Sequence, residues 1–166
     1  MMELVLSLAG CALLFLGIWV STLAMPWKRL ALFFPQDVQE QLQPRLDRLP
    51  MSPKRIVGWG MLFLLAAGYI ALVWIGGMDG VRRGFNFQRF FLRFFIVGAA
   101  IKAFDIIALD YFLLTKTHFF QHYLPETEGC AGWQSFGYNR KQQLLQIALL
   151  PIVCVVLAKL FTALLP

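Results

Sequence analysis

Charge is scarce in this sequence: Asp, Glu, Lys and Arg make up 14% of its 166 residues, where about a quarter is ordinary for a soluble domain. Hydrophobic residues fill 59%, so a soluble globule would leave too much apolar surface in water. Cysteine is nearly absent. Cys11 and Cys154 fall inside apolar stretches and Cys130 in a polar loop, with no spacing that suits a disulfide framework or a thiolate-held metal. There is no glycine-rich phosphate loop and no dinucleotide fingerprint. Internal repeats and low-complexity tracts are also missing.

What the chain does have is long apolar runs. Residues 4–25, 56–75, 94–114 and 144–164 are each close to the length of about 20 residues that an α-helix needs to cross a bilayer. The expected fold class is all-α: an integral membrane bundle of four transmembrane helices, one domain over residues 1–166, with no separate extramembrane domain. The first run lacks the basic flank of a cleaved signal peptide and reads as a retained helix. Gly76 and Gly77 read as the exit from the second helix. Phe90, Phe91 and a snorkelling Arg93 open the third, and Pro151 in the fourth is tolerable among neighbouring helices.

Between the first two runs lies a basic linker, residues 26–55. Val38, Leu42, Leu46 and Leu49 recur there at helical spacing, which makes an interfacial amphipathic helix a candidate. Pro44 is expected to interrupt it, and a plain basic connector is the favoured reading.

The net charge of +6 comes from basic residues flanking the apolar runs, so the expected partners are membrane lipids and not nucleic acid. A homo-oligomer or a larger membrane complex stays open. With four crossings, the first and third loops share a side and hold nine Lys and Arg: Lys28, Arg29, Arg45, Arg48, Lys54, Arg55, Lys116, Arg140 and Lys141. The second loop holds Arg82, Arg83 and Arg89. The positive-inside rule then puts loops 26–55 and 115–143 in the cytoplasm and both termini outside, in a bacterial inner membrane or a plasma membrane.

The third run carries the chemistry. Its twelve Leu, Ile, Phe and Val residues favour insertion by about 4–7 kcal/mol, while Lys102, Asp105 and Asp110 oppose it by about 2.5–3.5 kcal/mol each. The two sums roughly cancel, so these side chains should face protein or a watery cavity. Lys102 and Asp105, three apart, suit an ion pair. Asp110 falls about 140° further round an α-helix and needs a partner of its own, with Lys116, Arg140, Lys141 or a bound cation as candidates.

If the helix runs on to Pro125, His118 and His122 share a face at the spacing by which two imidazoles hold one metal. Glu126, Glu128 and Cys130 follow. The expected site thus has His118, His122 and Asp110 as ligands of a divalent metal ion, Glu126 and Glu128 as catalytic carboxylates, and Lys102, Asp105, Asp110 and Arg140 as substrate contacts. Position 119 is Phe, which rules out a His-Glu-x-x-His zinc hydrolase. Taken alone, the His pair reads more simply as headgroup-level side chains, and Cys130 as an inert thiol.

Three functions follow. A polar ligand or metal site at the cytoplasmic end of the third helix, serving a membrane enzyme that acts on a lipid or other amphiphile, ranks first. An oligomeric transporter or ion pathway using Lys102, Asp105 and Asp110 comes next, with a non-catalytic subunit of a larger complex as the third.

Overall fold

In the computed structural model of the chain, residues 1–24, 27–48 and 54–164 are described, and every element among them is helical. Helix α1 spans Met2–Ala24; α2 (Trp27–Leu30) runs into a 3-10 turn, Ala31–Phe33; α3 spans Gln36–Arg48 and α4 Lys54–Arg82. Helix α5 (Phe87–Phe104) continues without a break into a π-helix, Asp105–Lys116. A short α6 (Phe119–Tyr123) and two 3-10 turns, Pro125–Thr127 and Ala131–Gln134, lead to α7, Arg140–Thr162.

Among the described residues, three helical segments are long and apolar enough to cross a membrane: Met2–Thr22, Trp59–Arg82 and Arg140–Thr162. The third apolar run of the sequence is not among them, because α5 and its π extension carry Arg89, Arg93, Lys102, Asp105 and Asp110. It packs instead between α7 and α1, and α1 packs on α4.

Helix α4 does not end at Gly76 and Gly77. A Cβ on Gly77 would stand 2.1 Å from the Phe161 ring, and one on Gly76 2.8 Å from a Leu6 methyl. The pair therefore marks a close helix contact and not an exit. Around it lies one buried cluster, Phe90, Phe94, Cys154, Ala158 and Phe161.

Arg93 is not a snorkelling side chain either. Only 3% exposed, it donates from Nε to Glu3 Oε1 at 2.9 Å and from Nη1 to Asp79 Oδ2 at 2.8 Å and the Gly76 carbonyl at 2.7 Å. Its guanidinium also lies over the Phe85 ring, 4.4 Å from the centroid. One cation thereby ties α1, α4 and α5 together at the end of the bundle where the α4–α5 turn lies.

At the opposite end the linker and the third loop fold onto each other as a cap. Helix α3 runs through Pro44, although an interior proline costs about 3 kcal/mol. Its stripe offsets that cost: Val38, Leu42 and Leu46 are buried, each worth about 1.5–3 kcal/mol. They are covered by Leu124, Trp133 and Phe120 and not by lipid. Leu49, the fourth residue of the stripe, lies outside the described residues. Trp133 donates to Thr127 Oγ1 at 2.9 Å and stacks on Phe120. The Gly132 N–H donates to Asp37 Oδ2 at 2.7 Å. A Cβ on Gly132 would come within 2.1 Å of the other Asp37 oxygen, so this clip requires glycine.

Candidate functional site

The π-helix decides where the carboxylates point. Its hydrogen bonds close from residue i to i+5, as from the Thr117 N–H to the Phe112 carbonyl at 3.1 Å, and this stacks residue i+5 over residue i. Asp105 and Asp110 therefore share a face, where an α-helix would set them far apart. Both meet α7. Gln143 Nε2 donates to Asp110 Oδ2 at 2.6 Å and reaches Asp105 Oδ2 at 3.4 Å, and Asn139 Nδ2 donates to Asp110 Oδ2 at 3.1 Å. Lys102 Nζ donates to Asp105 Oδ2 at 2.8 Å, the pair expected from their spacing, and also to Gln146 Oε1. Asp110 thus meets neutral amides rather than Lys116, Arg140 or Lys141.

These groups form one wall of a cavity of about 440 Å³ between α1, α4, the π-helix and the start of α7. Leu14, Ile18, Leu62, Leu109 and Leu113 make its apolar side. Asp105, Asp110, Tyr138, Asn139 and Gln143 make its polar side. The Tyr138 phenol, outside the apolar runs, is pushed up by burial and then by the charges of Asp110 and Asp105. Gln143 Oε1 is buried and accepts no hydrogen bond among the described residues. A second cavity, about 350 Å³, borders the first across Leu14, Asp105 and Gln146 and contains Lys102.

The other expected site residues are not drawn together. The helix does not run on to Pro125: His118 adopts a left-handed conformation, φ 52°, and begins α6. His118 and His122 are both exposed. The Gln121 amide donates to His118 Nδ1 at 3.3 Å, and the His122 ring lies against Tyr123. Among the described residues no three His, Cys, Asp or Glu side chains converge to hold a metal ion, so the ligand set of His118, His122 and Asp110 is not assembled.

Glu126 is ion-paired with Arg45 of α3. Partial burial acts to raise its carboxyl, but the Arg45 hydrogen bond, a backbone hydrogen bond and the Arg45 charge together hold it below the usual carboxylate range. It therefore fastens the cap. Glu128 is exposed, as is Arg140 at the start of α7. Burial, followed by the charge of Asp37, pushes the Cys130 thiol up, away from the reactive thiolate.

The amides of Asn139, at the N-cap of α7, and of Gln143 and Gln146 within it are candidate site residues that sequence reasoning missed. Asn139, Gln143 and Gln146 recur at intervals of four and three, a polar stripe at the mouth of an otherwise apolar helix, and that spacing was the available signal. Comparison with family models, curated proteins and solved structures finds no match.

Proposed function

We propose that this chain is a four-span integral membrane protein that binds an amphipathic ligand in the cavity between the π-helix and α7. The observation that carries the reading is the cavity's two-sided lining: aliphatic side chains on one wall and a hydrogen-bonded set of carboxylates and amides on the other. Its volume falls in the range of small-molecule sites, about 300–1,000 Å³.

The fourth crossing is the 30-residue segment of α5 and the π-helix, 18 and 12 residues. Its inward charges, Arg93, Lys102, Asp105 and Asp110, each meet protein partners, and it turns Leu92, Ile96, Ile107 and Phe112 outward. That is the arrangement a bilayer demands of a helix with ionisable residues. The basic residues of the cap favour the cytoplasmic side for it, with both termini outside, in an inner or plasma membrane. Lipids, a second copy of the chain or a larger complex would meet the apolar exterior.

An ion pathway has one observation in its favour, the hydrogen-bonded row from Gln146 through Lys102, Asp105 and Gln143 to Asp110. Toward the Arg93 end, however, Phe90, Phe94 and Phe161 are packed and buried. A binding site that opens at one end accounts for both facts.

The test is lipid analysis of the detergent-purified chain. Wild type is expected to retain an amphiphile in stoichiometric amount, and Leu14→Trp, which fills the cavity, is expected to lose it. No retained amphiphile in either protein, or equal amounts in both, overturns the proposal.

A further inference from the structure

The polar wall carries a net sign, and this bears on the kind of ligand it takes, provided that the cavity is the binding site proposed above. Among the described residues, the charged side chains at the two adjoining cavities are Lys102, Asp105 and Asp110. The Lys102 ammonium is committed to Asp105 and Gln146. Among the described residues, the donors to Asp110 are neutral amides, from Asn139 and Gln143. Among the described side chains one carboxylate is balanced and the other is not, which leaves a negative charge where water is sparse and an uncompensated charge is costly.

Hydrogen bonding points the same way. The Gln143 amide nitrogen is turned to the carboxylates, and its oxygen is buried with no donor among the described residues. Asp110 thus keeps its carboxylate at the cavity wall, with both amide donors on one oxygen, Oδ2. A phosphate or carboxylate head would bring more acceptors and more negative charge to a wall that already has both. An ammonium brings donors and the opposite sign, and a charge-assisted N–H to carboxylate bond is about twice as strong as a neutral one.

From this juxtaposition we infer that the ligand's head group is a cationic amine, seated against the Asp110 carboxylate, with its hydrocarbon tail along Leu14, Ile18 and Leu109. The occupant is an alkylammonium or an amine-headed lipid, not a phosphate-headed one lacking an amine.

The full chain, in phosphatidylcholine nanodiscs, would be labelled with a photoreactive analogue of dodecylamine. Unlabelled dodecylamine, dodecanol and dodecyl sulfate would then compete, each at its measured membrane concentration. Dodecylamine is expected to compete about tenfold or more tightly than dodecanol, with dodecyl sulfate weakest. Asp110→Asn is expected to bring dodecylamine down to the level of dodecanol. Equal competition by all three on wild type overturns the cationic head and leaves the cavity reading standing. Labelling that no competitor displaces, and that Leu14→Trp does not reduce, overturns both. Because the preference is read on the wild-type chain, the outcome stands even if Asp110→Asn fails to fold.

Discussion

Arg93 sits at the boundary of an apolar run, where a long cationic side chain ordinarily reaches for water, yet it is buried against two carboxylates and a carbonyl. Removing one member of a buried ionic cluster strands the rest, at a cost of about 3–5 kcal/mol. Arg93→Ala should therefore lower the melting temperature in detergent markedly. Arg93→Lys should recover only part of the loss, since an ammonium lacks the fork that reaches Glu3, Asp79 and Gly76 at once. Unchanged melting of Arg93→Ala would refute this account. The residue was visible in the sequence but its partners were not, because Glu3 and Asp79 lie 90 and 14 positions away and no periodicity links them. Lys102 and Asp105, three apart, were legible for the opposite reason: a single helical turn fixes their proximity.

At the scale of the element, the sequence located a helix around Asp105 and Asp110 but not its winding. A helical reading assumes the α period, under which Asp110 turns away from Asp105; the π period brings it back. This gives an asymmetric prediction for changes in chain length. Deleting Ala108 leaves the two aspartates four apart, a spacing that an ordinary α-helix keeps on one face. Inserting an alanine after Ala108 leaves them six apart, off that face. The deletion should retain the bound amphiphile and the insertion should lose it, with similar far-UV circular dichroism for both. Loss in the deletion with retention in the insertion would show that the π winding is not what aligns the carboxylates. The break at His118 was illegible for a related reason: nothing in the residue pattern before Pro125 marks a left-handed residue, so a His pair on one helix face was a fair expectation that the backbone does not honour.

For the whole molecule, the four apolar runs were legible because length and composition alone reveal them. The cap was not, since α3 meets the third loop through pairs such as Asp37 with Gly132 and Arg45 with Glu126, 95 and 81 positions apart. Bringing the linker and the third loop to one end requires the chain to traverse the bundle between them. A reporter fused after residue 164 should accordingly be active only outside the cytoplasm, and one placed at Glu128 only inside; the reverse pattern would overturn the orientation. The two ends of the α5 and π segment differ in a way that also bears on biogenesis. The acids that neutralise Arg93 precede it in the chain, whereas the amides that meet Asp110 follow it, at the N-cap and in the first turn of α7. During synthesis this segment emerges with one end already provided for and the other bare until the last helix is made. If this segment is the fourth crossing proposed above, its release from the insertion machinery into lipid must wait for α7, and a chain truncated before Asn139 should be a substrate for quality-control proteolysis.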